Sequence, residues 1–143
     1  MAGQGQRPPM VVTHAGGLKF AAQIREHTVL VDQPVGVGEN AGPMPIELLG
    51  AGLGTCVALY VHQFCSSRGL SDEGLRVEVQ QRGAQNPNRI GLFEVRVVLP
   101  QGVPAEYLEM LERVARSCPA HHTLVEGAEV AVHIDSGAAA TAG

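Results

Sequence analysis

The sequence predicts an α+β fold, because short runs of β-forming residues precede and separate two segments with helical periodicity. The chain has 143 residues, of which 45% are apolar, and this length is typical of one domain. Its 18 glycines and nine prolines indicate frequent turns. We therefore predict a single domain over residues 1–143, with a core at 10–135 and flexible ends at 1–9 and 136–143.

Extended segments dominate the first part of the chain. Residues 10–13, 18–24 and 28–31 are rich in valine, isoleucine and other apolar residues, and they predict three strands. Gly16-Gly17 predicts a turn between the first two strands. Residues 33–43 contain proline, glycine and asparagine, which predicts a loop before the first helix.

A long apolar helix is predicted over residues 45–68. Pro45 suits its first turn, Glu47 complements the positive end of the helix dipole, and Gly69 is a typical stop. The first half contains three glycines, Gly50, Gly52 and Gly54. Each costs a helix roughly 1 kcal/mol relative to alanine. We therefore expect a partner helix, a sheet or a substrate to approach this backbone closely.

The second half of the chain predicts two strands, a helix and a closing strand. Residues 75–80 alternate as a half-exposed strand, and residues 90–99 form its neighbour with Phe93, Val95 and Val97 on one face. The next helix begins at Pro104, carries an apolar stripe as far as Cys118, and is expected to end at Pro119. Residues 130–134 predict the closing strand.

Charge and hydropathy exclude several classes of partner. The net charge of −4 and the absence of a basic run argue against nucleic acid. No run of about 18 apolar residues predicts a membrane span. The first residues lack the apolar segment of a signal peptide. We therefore expect a cytoplasmic protein, and stable structural disulfides are rare in that compartment.

The three cysteines are the candidates for chemistry. Cys56 and Cys65 lie nine residues apart, half a turn out of phase, so they cannot serve one site from one unbroken helix. Cys118 ends the apolar stripe of the second helix and is expected to point inward. It could meet a thiol of the first helix, although spacing alone does not fix that pairing. A cysteine that only fills space in the core remains the alternative for each of them.

A metal centre is not predicted. Cys118, His121 and His122 lie close together in sequence, but no second pair of cysteine or histidine residues stands at the spacing of zinc ligands. The two histidines are more often polar surface residues than ligands. No bound cofactor is expected.

Two segments resemble the OsmC/Ohr family (osmotically inducible protein C and organic hydroperoxide resistance proteins), in an OsmC-like branch. Residues 31–34 (VDQP) and 45–56 (PIELLGAGLGTC) resemble the DxP turn and the P-x-E-L-L-x-x-x-L-x-x-C element of that family. Residues 118–124 (CPAHHTL) resemble its C-P-x-x-x-x-L element. The likeness covers roughly residues 18–134.

The resemblance implies an intertwined homodimer in which a curved, mainly antiparallel sheet wraps around two central helices. It implies a thiol-dependent peroxidase that reduces organic hydroperoxides to alcohols, with Cys56 as the peroxidatic thiol and Cys118 as the resolving one. A small dithiol, of lipoyl type in one branch, would restore the thiols. The family's motif glutamate, here Glu47, would hold an activating arginine, for which Arg25 is the nearest upstream candidate.

Further site residues follow from the same resemblance. An apolar wall that includes Leu48, Leu49 and Leu53 would favour organic hydroperoxides over hydrogen peroxide. His121 is also a candidate for a substrate contact, and His121 or His122 could supply the activating charge instead of Arg25, because both lie close to Cys118. Two alternatives remain: an OsmC-like protein that binds a small ligand or senses redox state with little turnover, and thiols that are purely structural.

Overall fold

The structure is a computed structural model that describes residues 5–137. Residues 1–4 and 138–143, which belong to the two predicted flexible ends, lie outside the described residues. Residues 5–10 are exposed and form neither helix nor strand. The observed class is α+β, as the sequence predicts.

The strands form two antiparallel sheets. The first has the order β1-β2-β3, and the second pairs β4 with β5. The bounds are β1 (Val11–His14), β2 (Phe20–Ile24), β3 (His27–Val31), β4 (Arg76–Ala84) and β5 (Arg89–Val98). Gly16 and Gly17 have positive φ angles in the β1–β2 turn, as predicted. Within one chain the two sheets remain separate, so the single curved sheet implied by the resemblance is not formed by one subunit alone.

The central element is the helix α1 (Pro45–Ser67), which contacts β4, β5 and both later helices. Glu47 accepts a hydrogen bond from the backbone N–H of Met44, and Gly69 follows the helix with a φ of 64°. By length and hydropathy alone α1 could cross a membrane, contrary to the expectation from sequence, but core helices meet the same criterion. The buried core consists mainly of α1 side chains with one residue from α2 and one before α3: Leu53, Val57, Val61, Phe64, Cys65, Leu111 and Cys118.

A buried carboxylate shapes the loop that leads into α1. Asp32 accepts hydrogen bonds from the backbone N–H groups of Gln33, Glu39 and Ala41, at 2.7, 3.1 and 3.0 Å. The bonds from Ala41 and Gln33 are the main causes that lower the pKa of Asp32. The predicted loop at 33–43 is therefore an ordered connection that fixes where α1 begins.

Two of the three glycines in α1 allow the helix to lie against β4. A Cβ atom at Gly54 would be 2.9 Å from Cγ2 of Val79, and one at Gly50 would be 2.3 Å from Oε1 of Gln81. A Cβ atom at Gly52 would meet nothing within 4 Å. The close neighbour expected from sequence is therefore the sheet at Gly50 and Gly54, whereas Gly52 faces away from the subunit.

Gly54→Ala is expected to lower the free energy of unfolding by about 1–3 kcal/mol, because the β-branched Val79 has little freedom to move aside. The matched control repeats Gly54→Ala in a Val79→Ala background, where the obstructing methyl group is absent and the loss should be smaller. Urea unfolding followed by circular dichroism measures both. Equal losses with and without Val79→Ala would contradict the close packing at Gly54.

The second helical region differs from the prediction. A short 3₁₀ turn at Ala105–Tyr107 leads into α2 (Leu108–Arg116), and a separate helix α3 (Pro119–Glu126) follows. Pro119 therefore begins a helix rather than only ending one, because proline fits the first helical position, where no N–H partner is needed. Cys118 lies inward, as predicted, but it caps α3 instead of ending α2.

The predicted closing strand at 130–134 is wrong for one subunit. These residues are neither helix nor strand, and no other part of the described chain pairs with them. Val130, Val132 and Ile134 are 81%, 76% and 89% exposed. The alternating apolar pattern is present, but a strand needs a neighbour for its backbone hydrogen bonds, and the described chain offers none there.

Candidate functional site

The thiol of Cys56 lies in the fourth turn of α1, beside the buried face of the helix, and is half-buried. Cys65 is fully buried on the opposite side of the helix, and burial raises the pKa of its thiol. The half-turn offset predicted from spacing therefore separates a partly accessible thiol from a packed one. Both cysteines are free.

The thiol of Cys118 meets Cys56 where α3 begins. Cys118 is fully buried, and the half-buried Cys56 packs against the core cluster that contains it, where its thiol adds to the rise in the pKa of Cys118. The backbone N–H of His121 donates to Sγ of Cys118 at 3.3 Å. Burial raises the pKa of Cys118, and the N–H groups of His121 and Ala120 oppose that shift. The structure thus brings together two reduced cysteines that are 62 residues apart in sequence.

A cavity of about 470 Å³ reaches His121, whose backbone N–H bonds to Cys118, although neither Cys56 nor Cys118 is among its lining residues. Its walls come from α1, β5, α2 and the start of α3, and they are mainly apolar. The lining residues are Leu53, Val57, Val61, Phe93, Val95, Val97, Leu99, Leu108, Leu111, Glu112, Ala115, Arg116 and His121. Nδ1 of His121 is buried and has no hydrogen-bond partner among the described residues. An apolar cavity with a few polar groups is the usual form of a small-molecule site.

Two of the predicted site residues do not meet within one subunit. Arg25 stands at the turn between β2 and β3, with a φ of 54°, and its guanidinium pairs with the adjacent Glu26 at 3.3 Å. Glu47 serves as the first-turn cap of α1 and has no ion pair in the part of the chain that the structure describes. Arg25 was a candidate for the activating arginine only because it is the nearest arginine upstream in sequence. In the structure the β2–β3 hairpin directs its side chain to solvent.

The predicted apolar wall is divided between two environments. Leu53 is buried and lines the cavity, whereas Leu48 and Leu49 are exposed. His121 lines the cavity and His122 is exposed. No group of three or more cysteine, histidine or acidic residues suited to a metal ion occurs among residues 5–137.

One feature of the site was not predicted from the sequence, namely the helix that begins at Pro119. Its signal was the proline directly after Cys118, because proline is common at the first helical position and the preceding residue is then the cap. That placement supplies the backbone donors around Cys118.

An α+β chain with two contacting thiols at a helix junction matches a known family. The model of the OsmC-like protein family matches residues 38–133, which is more than half of the chain. The chain therefore belongs to the OsmC-like protein family. No functionally curated relative matches it.

Solved structures share this fold. A protein of Psychrobacter arcticus 273-4, described as an osmotic stress induced and detoxification response protein, is 21% identical with a TM-score of 0.74, covering 86% of this chain and 91% of that one. An OsmC-like protein of Mycoplasma pneumoniae is 20% identical with a TM-score of 0.66, covering 84% and 88%. An organic hydroperoxide resistance protein of Legionella pneumophila is 18% identical with a TM-score of 0.55, covering 84% and 91%.

Proposed function

We propose that this protein is a thiol-dependent peroxidase that reduces organic hydroperoxides to alcohols. The single observation that carries the proposal is the contact between two reduced cysteines, Cys56 and Cys118, beside a largely apolar cavity. Cys56 is the nucleophile because it is the accessible member of the pair, and a peroxide must reach the sulfur that it oxidises.

The proposed reaction has two steps at these sulfurs. The thiolate of Cys56 attacks the outer peroxide oxygen, the O–O bond breaks, and the alkoxide leaves and takes up a proton to become the alcohol. Cys56 is thereby oxidised to a sulfenic acid. The thiol of Cys118 then condenses with it, which forms a Cys56–Cys118 disulfide and releases water. A small dithiol, such as one of the lipoyl type, restores both thiols by exchange without a bound cofactor.

The cavity supports an organic substrate rather than hydrogen peroxide. Leu53 and Val57 flank Cys56 on α1 and line the cavity, and His121 follows Cys118 at its other side. An apolar alkyl or aryl group gains free energy by leaving water for such a surface, at about 25 cal/mol per Å². The chemistry needs reduced thiols, so the cytoplasm is the compartment that we propose.

A homodimer is part of the proposal, because one subunit exposes too much surface. The chain exposes 10846 Å², whereas a compact monomer of its 15.0 kDa exposes about 7,000 Å². The excess is of the order that obligate dimers bury. Such a partner would also place a neighbour beside residues 130–134, whose apolar side chains are exposed.

The outer face of α1 is the proposed contact with a second copy. This face carries four exposed residues that project within about 60° of one another on the helix: Leu48, Gly52, Thr55 and Leu59. Leu48 and Leu59 are 37% and 51% exposed, and Gly52 has open space around it. A glycine in the middle of an apolar stripe lets two helices approach closely, and a two-fold axis uses the same stripe twice.

Leu59→Glu is expected to convert the dimer to a monomer, because each interface would then bury two unpaired carboxylates at a cost of several kcal/mol. Sedimentation velocity measures the change. Met110→Glu is the matched control, since Met110 is similarly exposed but lies on α2. A monomeric parent protein, or a Leu59→Glu variant that still dimerises, would contradict this interface.

A second function is favoured by one observation. Cys56 has no hydrogen bond or ion pair with a cationic side chain in residues 5–137. A thiol without such a neighbour reacts slowly at neutral pH. The second candidate is therefore an OsmC-like protein that binds a small apolar ligand or senses redox state, with little turnover.

The decisive experiment combines reduced protein with cumene hydroperoxide and a dithiol. The peroxidase proposal expects catalytic loss of the peroxide, and it expects a Cys56–Cys118 disulfide in protein treated with one equivalent of peroxide and no dithiol. Peptide mass spectrometry locates the bond. A disulfide without catalytic turnover would favour the sensing function. Neither peroxide loss nor a disulfide would leave the thiols with a structural role.

A further inference from the structure

The two sulfurs of the thiol pair have unequal surroundings. Cys56 is half-buried on α1, whereas Cys118 is fully buried at the start of α3. Thiol–disulfide exchange requires the incoming thiolate to reach one sulfur directly, and it proceeds fastest when the other sulfur leaves as a stabilised thiolate. Two properties of each cysteine therefore matter: how easily the reductant reaches its sulfur, and how well its surroundings stabilise it as a leaving thiolate.

Access favours attack at Cys56, because Cys118 is fully buried, and backbone N–H groups around Cys118 partly offset the burial that disfavours its thiolate. Sγ of Cys118 accepts a hydrogen bond from the N–H of His121 at 3.3 Å, and the N–H of Ala120, also in the first turn of α3, acts to lower the pKa of Cys118. Pro119 at the first position fixes the backbone of that turn. Cys56 lies in the middle of α1, where backbone N–H groups are bonded within the helix.

We propose that the reductant of the Cys56–Cys118 disulfide attacks Sγ of Cys56 and that Cys118 leaves as a thiolate held by the first-turn N–H groups of α3. This inference rests on the proposed function, since it requires that disulfide to form. It assigns the backbone N–H of His121 as a positioning and stabilising group for the leaving sulfur.

A dithiol reductant restores both thiols of the protein in two successive exchange steps. One thiolate of the reductant bonds to Cys56, the Cys56–Cys118 bond breaks, and its electron pair leaves with Cys118, which then takes up a proton. The second thiolate of the reductant attacks the sulfur that is bound to Cys56. Cys56 is released as a thiolate, and the reductant leaves as an internal disulfide. Burial of Cys118 favours its protonated form afterwards, which opposes the reverse attack on the mixed disulfide.

The first test uses disulfide made with diamide, so that it does not depend on peroxidase activity. The oxidised full-length protein is mixed with glutathione, a monothiol that stops at the mixed disulfide, and is quenched after a short interval with acid and N-ethylmaleimide. Tandem mass spectrometry then locates both labels. We expect glutathione on Cys56 and the maleimide on Cys118.

The second test isolates the backbone donor. His121→Pro and His121→Ala both lack the imidazole, but only the proline variant also lacks the N–H that bonds to Cys118. Proline is tolerated in the first turn of a helix, and circular dichroism checks that both variants fold. Reduction of the disulfide by glutathione should be roughly threefold to tenfold slower in His121→Pro than in His121→Ala, because a hydrogen bond to a charged group is lost.

The outcomes of these tests distinguish failure of the inference from failure of the proposed function. If diamide yields no Cys56–Cys118 disulfide, both the inference and the proposed function fail. If the disulfide forms but Cys56 does not carry most of the glutathione, the inference fails and the proposed function stands. Equal reduction rates for the two His121 variants would show that the backbone N–H of His121 does not stabilise the leaving thiolate of Cys118. Should His121→Pro not fold, the adduct on the unaltered protein still decides which sulfur is attacked.

Discussion

Replacement of Cys56 by serine is expected to lower the rate of organic hydroperoxide reduction by at least about a hundredfold. A serine hydroxyl stays protonated at neutral pH and cannot replace a thiolate as the nucleophile. The measurement follows loss of cumene hydroperoxide by the protein with a dithiol in excess. Any rate that remains should equal the rate of the dithiol alone.

Two matched variants define this result. Cys65→Ala removes a thiol from the same helix at a fully buried position on the opposite face, and it should keep the parent rate within about twofold. Cys118→Ser should still consume one equivalent of peroxide and accumulate a sulfenic acid on Cys56, which dimedone traps. Full activity in Cys56→Ser would end the peroxidase proposal, whereas loss of activity in Cys65→Ala would indicate that the packing of α1 controls the rate.

The sequence predicted the course of the chain well where local signals decide the structure. The structure confirms the predicted ends of α1 at Pro45 and Gly69 and the predicted β1–β2 turn at Gly16-Gly17. Such boundaries can be predicted because caps and turns depend on a few adjacent residues. The inward direction of Cys118 also followed from the periodicity of its neighbours. The division of residues 104–126 into α2 and α3 was missed, since proline after Cys118 can end one helix or begin another.

The parts of the site that the sequence could not predict depend on contacts between distant residues. The meeting of Cys56 and Cys118 needs the packing of α1 against α3, which cysteine spacing does not contain. Arg25 lies at a hairpin turn because of strand register, which flanking residues alone do not determine. The strand predicted at 130–134 has a suitable pattern but no neighbour in the described chain. Whether a segment forms a strand depends on a neighbour for its backbone hydrogen bonds, and the residues of the segment do not specify that neighbour.

The second large effect concerns the packing that holds α2 on α1. Leu111 is 4% exposed, belongs to the buried core and lines the cavity beside the thiols. Leu111→Ala is expected to lower the free energy of unfolding by about 2–5 kcal/mol, through the lost burial of three carbon atoms and the cavity that remains. Urea unfolding at fixed protein concentration measures this loss.

Leu108→Ala is the matched control, because Leu108 lies on the same helix and lines the same cavity but is 50% exposed. Its cost should stay below about 1 kcal/mol, since less apolar surface leaves water when the chain folds. The pair also separates stability from substrate binding: both variants enlarge the apolar cavity, but only Leu111→Ala should loosen α2. A similar loss of stability in both variants would mean that the exposed face of α2 is covered in the native assembly, which would extend the subunit interface beyond the outer face of α1.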